Sequence, residues 1–149
     1  MKIAVGSDMQ THVTETVTED LRRRGHEVVV FGALTGAPAM WSKVAIEVAE
    51  QVARGHFDQA VLFCWTGTGI ALAANKVKGI RAALCADAET AKGARRWNDA
   101  NILALSLRSL SEQVAKEILD AWFDATPSAD ADDVACLRFL AEAEERLRP

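Results

Sequence analysis

Gln59-Ala60-Val61-Leu62-Phe63-Cys64-Trp65-Thr66-Gly67-Thr68-Gly69-Ile70 is the stretch on which the fold turns. Gln59–Cys64 is an apolar run of strand length, Trp65–Gly69 a glycine loop, and Ile70–Lys76 a short helix. A buried strand, a turn and a helix in that order form one half of a parallel βαβ unit. The alternation continues outward in both directions. Upstream, Ile3–Val5 is a short apolar strand stopped by Gly6-Ser7-Asp8. Val13, Val17 and Leu21 mark one face of a helix over Val13–Arg24, with Gly25 as its stop. Glu27–Phe31 is β-branched and predicts a strand. After the loop Gly32–Ala39, residues Val44, Val48 and Val52 give a helix over Lys43–Arg54. Downstream come a strand at Arg81–Cys85, a helix capped by Asp87 and reaching Trp97, and a turn at Asn98-Asp99-Ala100-Asn101. A strand at Ile102–Leu105, a helix over Ser111–Phe123 with Ser111 as N-cap, and a last helix over Asp132–Leu147 complete the chain. The expectation is an α/β, Rossmann-like three-layer sandwich with a five-stranded parallel sheet and ligands at the carboxyl ends of the strands. The last helix follows a polar loop and is mostly polar apart from Val134, Leu137 and Leu140. It is expected to pack on its own domain or across a dimer.

The 149 residues are half hydrophobic, enough for one domain with one core over 1–149. A formal net charge of -4 without a clustered basic face speaks against nucleic acid. The run Arg22-Arg23-Arg24 falls at a helix end, where cations complement the dipole. Three cysteines without CxxC spacing form neither a disulfide framework nor a zinc site, and reduced thiols imply the cytoplasm. Met1–Gly6 is too short an apolar run for a signal peptide, and no run is long enough to span a bilayer, so no membrane association is expected.

Glycines in Cys64–Gly69 let backbone N–H groups turn inward and approach an anion. The pattern is neither GxGxxG nor a P-loop, which removes the main support for nucleotide binding. Taken alone it fits an anion site and a tight turn without ligand equally well. Cys64 closes the strand. Beside N–H donors a thiol gains thiolate character, which suits a general base or nucleophile; a small buried hydrophobe is the commoner cysteine role. Cys85 and Cys136 are expected to be such buried residues.

The sequence resembles the ribose-5-phosphate isomerase B family, which includes the galactose-6-phosphate isomerase subunits. Met1–Asp8, Cys64–Gly69, Ala73-Ala74-Asn75-Lys76-Val77-Lys78-Gly79-Ile80-Arg81-Ala82-Ala83-Leu84-Cys85, Asn98–Leu105 and Arg108 carry the likeness. The resemblance implies interconversion of aldose and ketose phosphates through an enediolate, with no metal or organic cofactor and a sugar phosphate as the small-molecule partner. It places the catalytic base at Cys64, a proton-shuttling threonine at Thr66, and the enediolate-holding loop at Gly67, Thr68 and Gly69. Asp8 is placed on sugar hydroxyls, Asn98 on the substrate, and Arg108 and Arg138 on the phosphate. It also implies a homodimer or dimer of dimers, with the pocket at the subunit interface.

The sequence departs from that pattern. Met9-Gln10-Thr11 stand where the family has His-Ala-Gly, and Met40-Trp41-Ser42 where it has Asp-Tyr-Pro. Trp65 replaces a glycine, Trp97 the ring-opening histidine, and Val134 one of two phosphate arginines. Indole has a donor but no acceptor nitrogen, so Trp97 cannot open a furanose. The substrate is then an open-chain sugar phosphate, such as a tetrose phosphate, or Asp8 or His12 opens the ring. His12 fits a phosphate contact or an exposed residue at a helix start. Trp41 and Trp97 fit a pocket wall or packing in the core or dimer. The same losses leave a non-catalytic sugar-phosphate binder or partner subunit as the alternative.

Overall fold

The computed structural model describes residues 1–148. Five strands, β1 (Lys2–Ser7), β2 (Glu27–Gly32), β3 (Gln59–Cys64), β4 (Ala82–Leu84) and β5 (Ile102–Ser106), form one parallel sheet in the order β2-β1-β3-β5-β4. Six helices connect and extend them: α1 (His12–Arg23), α2 (Trp41–Ala53), α3 (Thr68–Ala74), α4 (Ala88–Asn98), α5 (Glu112–Asp124) and α6 (Ala131–Leu147).

Alternation along the strands sorts the core into two layers. Ile3, Val5, Val61, Phe63, Leu103 and Leu105 face α1, α4 and α5. Ala4, Ala60, Leu62, Cys64, Ile102 and Ala104 face α2 and α3. Both faces of the sheet are therefore covered, which is why its strands are near-continuous apolar runs. Trp122 of α5 is the largest fully buried side chain, and its indole N–H donates to Gln59 Oε1 at 2.8 Å, so burial leaves no orphaned donor.

The expected caps form. Asp87 accepts from the Thr90 N–H and Ser111 from the Val114 N–H. Two helices begin earlier than the apolar spacing predicts: α2 at Trp41 and α3 at Thr68, so the glycine loop is shorter than expected. β4 shrinks to Ala82–Leu84, and a 3₁₀ turn at Ala33–Thr35 occupies part of the loop after β2.

The last helix differs from the other five. No residue of α6 is buried. Cys136, expected to be buried, is exposed, because the face of α6 that carries it meets no apolar layer of its own chain. Phe139 and Leu147, which the sequence reading left out of its apolar positions, join Val134 and Leu140 as exposed apolar side chains.

Candidate active site

A parallel sheet reverses its winding between β1 and β3: α1 leaves toward one face and α2 returns on the other. In α/β sheets ligands bind at such a switch, beyond the carboxyl ends of the two strands. Ser7 at the end of β1 pairs with Phe63 of β3, so Asp8 and Cys64 leave the sheet side by side. Ser7 is fully buried and its hydroxyl donates to the Met9 carbonyl at 2.6 Å while accepting from the Met9 N–H at 3.1 Å, which fixes the turn carrying Asp8.

The loop after Cys64 is pinned on three sides. Leu107 N–H donates to the Cys64 carbonyl at 3.0 Å; Arg108 N–H and the Ser106 hydroxyl both donate to the Trp65 carbonyl, at 2.8 and 3.0 Å. Gly67 has φ +76°, and a Cβ there would meet Leu84 Cδ1 at 2.5 Å and the Leu105 carbonyl carbon at 3.0 Å. Only glycine fits both the backbone and the space. Gly69 lies under the indole of Trp41, whose ring atoms stand 3.2–3.3 Å from where a Cβ would be. Indole thus walls one side of the loop and leucine the other. The Thr66 and Thr68 hydroxyls are hydrogen-bonded at 2.7 Å.

Asp8 carries a clear electrostatic signature. Its Oδ1 is buried without a hydrogen-bond partner among the described residues. Desolvation raises its pKa above the usual carboxylate range, partly offset by its own backbone N–H. An unpartnered carboxylate oxygen beside Cys64 suits a substrate hydroxyl. His12 begins α1; its Nε2 pairs with Glu112 Oε1 at 2.5 Å. The other cysteine at this edge, Cys85, is pushed up to about 12 by burial and then by Asp87, which leaves it an inert thiol.

The chain thus brings together Asp8, His12, Trp41, Cys64, Thr66, Gly67, Thr68, Gly69 and Arg108 at the carboxyl edge. It does not bring Trp97, Asn98 or Arg138 there. Because α4 returns to the start of β5, its last residues Trp97 and Asn98 sit at the opposite, amino edge. They line a groove of about 1160 Å³ between α6 and the segments around Asn75, Arg81 and Ala100, with Leu137, Phe139 and Leu140 on its far wall. Arg138 is exposed on α6. In the turn after Asn98, Asp99 is held by Arg81 and Arg95 at 3.3 and 3.1 Å, and Asn101 accepts from the Arg81 N–H at 2.8 Å. These two residues brace the turn that presents Asn98.

Sequence reading missed Ser106, Leu84 and Glu112. Only Ser106 carried a signal, as a polar residue ending an apolar strand next to a glycine loop. The separation of Asn98 from the glycine loop follows from topology that the motif did not show: in a parallel α/β sheet a turn that precedes a strand lies at the amino edge.

The residues 3–135 match the family model described as Ribose/Galactose Isomerase. The D-erythrulose-4-phosphate isomerase of Pectobacterium atrosepticum is 37% identical over 127 residues, 84% of each chain. Ribose-5-phosphate isomerase B of Escherichia coli is 38% identical over 125 residues, 83% of this chain and 84% of that one. The solved structure of Clostridium thermocellum ribose-5-phosphate isomerase B superposes with a TM-score of 0.91 at 36% identity, covering 99% of both chains. A glycine loop at the switch point, a cysteine ending its strand, and likeness along nearly the whole chain lead to one conclusion: the chain belongs to the ribose/galactose isomerase family of sugar-phosphate isomerases.

Proposed function

We propose that this isomerase interconverts a short open-chain aldose phosphate, a tetrose phosphate above all, with its ketose phosphate, and that two copies of the chain build each site. Cys64 as thiolate takes the proton from the carbon next to the carbonyl. The electron pair moves onto the carbonyl oxygen, and the backbone N–H groups of the Gly67–Gly69 loop hold the resulting enediolate. The paired Thr66 and Thr68 hydroxyls pass the hydroxyl proton from one oxygen to the other. The Cys64 thiol then returns its proton to the neighbouring carbon, so the reaction is balanced and the enzyme regenerated. Asp8 binds a sugar hydroxyl, and Arg108 and Arg138 grip the phosphate as bidentate donors.

The observation that carries the substrate length is the distribution of imidazole. The chain has three histidines. His26 packs on Phe123 and His56 bonds Gln51, and neither lines the groove with Trp97 and Asn98. His12 alone stands at the carboxyl edge, engaged by Glu112. A furanose needs an acid–base pair to open, whereas a tetrose whose terminal hydroxyl is phosphorylated cannot close one. The D-erythrulose-4-phosphate isomerase and the ribose-5-phosphate isomerase B among its relatives bracket this choice.

The split of the site supports the homodimer, or dimer of dimers, and the three free cysteines fit the cytoplasm. A second copy with its amino-edge groove against this copy's glycine loop supplies Asn98, Trp97 and Arg138. The test of substrate is turnover on a tetrose phosphate against ribose 5-phosphate, with Trp97→His alongside. The expected result is a preference for the tetrose of about a hundredfold, the worth of a missing proton donor, narrowed by Trp97→His. Full efficiency of the unaltered protein on ribose 5-phosphate, with no gain from Trp97→His, refutes it.

A further inference from the structure

No residue of α6 is fully buried, yet the helix holds a defined place, and polar contacts tie its C-terminal end to the segment after α3. Arg148 Nη1, just past the helix end, donates to the carbonyls of Asn75 and Lys76 at 2.9 and 3.0 Å. Those carbonyls close α3, where a guanidinium is a favourable partner. Glu144 Oε2 accepts from the Gly79 N–H at 3.0 Å, and Lys78 pairs with Glu145 at 2.6 Å. The receiving segment is itself fixed. The Asn75 carboxamide donates to the Ala82 carbonyl at 2.9 Å and accepts from the Ala82 N–H at 2.8 Å, which ties the end of α3 to β4.

We propose that Arg148 and Glu144 are positioning residues: they latch α6 to the end of α3 and so set where Arg138, ten residues before Arg148, meets the substrate phosphate. This rests on the reading that Arg138 binds phosphate. A helix held by apolar burial tolerates loss of a surface pair. Within its own chain α6 has no fully buried residue, so there the latch sets its register. A misplaced guanidinium weakens ground-state binding of the phosphate and leaves proton transfer at Cys64 intact.

The test is kinetics and hydrogen–deuterium exchange on the full-length protein with Arg148→Ala, Arg148→Lys, Glu144→Gln and Arg138→Ala. For Arg148→Ala the expected result is a KM for the sugar phosphate raised about tenfold, the scale of a displaced binding group, with kcat within about a factor of two. The amides of 131–147 exchange faster, the melting temperature is unchanged, Glu144→Gln gives a smaller effect of the same kind, and Arg148→Lys restores part of KM. Unchanged KM and exchange in Arg148→Ala overturn the proposal. So does a fall of kcat together with melting temperature, which marks a general structural role. KM raised by Arg138→Ala but not by Arg148→Ala removes the latch alone, whereas Arg138→Ala without effect removes the phosphate reading beneath it.

Discussion

The carboxyl edge of the sheet and its amino edge are built to different standards of completion. At the carboxyl edge the backbone of the glycine loop is met by its own chain: Leu84 and Leu105 against Gly67, Trp41 against Gly69, and the Leu107 and Arg108 N–H groups just past β5 on the Cys64 and Trp65 carbonyls. At the amino edge, Trp97 is half exposed, and the groove it lines is bounded by a helix with no buried residue. An exposed apolar patch rimmed by polar groups marks an interaction surface. On the two-copy reading proposed above, the contrast divides the site into a half preorganised by folding and a half that association completes. Altering residues at the two edges should therefore give different phenotypes.

Cys64→Ala should have the largest effect at the carboxyl edge, lowering turnover by at least about a hundredfold as for a lost general base, with KM little changed. Gly67→Ala should approach it, because the added Cβ meets Leu84 and Leu105 at a positive φ. Steady-state kinetics on the preferred sugar phosphate check both; near-wild-type turnover in Cys64→Ala moves the base elsewhere. Arg108→Ala and Arg138→Ala come next. Each should raise KM for the phosphorylated sugar by roughly tenfold or more, the worth of a charge-assisted pair, and leave binding of the unphosphorylated sugar alone. Equal effects of the two would join the edges in one site.

The smallest effect is on stability. Desolvation raises the folded-state pKa of Asp8, so its ionised form is disfavoured by folding. Below the unfolded carboxylate pKa of about 4 the group is protonated in both states and costs nothing. The penalty grows as pH rises through the folded value and is constant above it. Asp8→Asn should therefore melt slightly higher than the unaltered protein at pH 7, lose that advantage below about pH 4, and lose activity at both. Equal melting temperatures of the two proteins at pH 7 would show that Asp8 is effectively solvated.

Much of the carboxyl edge was legible in the sequence, for a physical reason. Strand alternation, a glycine loop and N-caps are local, and Cys64, Thr66 and Gly67–Gly69 are contiguous. The contacts that decide what the loop meets are not local. Trp41 lies on Gly69 through α2–α3 packing, and His12 meets Glu112 across a hundred residues of chain. The amino edge was legible only in outline. Asn98 and Arg138 were singled out from motif position alone, and the exposure of Cys136 and Phe139 depends on what α6 fails to touch in its own chain, which no local pattern encodes.

The central claim, that Cys64 of one copy works with Asn98 of another, has a direct test. Cys64→Ala and Asn98→Ala chains, each expected to be inactive as a pure preparation, are unfolded, mixed in equal amounts and refolded together. If each site draws on two chains, half the dimers are hybrids with one intact site of two, so the mixture should recover about a quarter of wild-type activity. A mixture no more active than its parents would place both residues in the same chain's site and contradict the account.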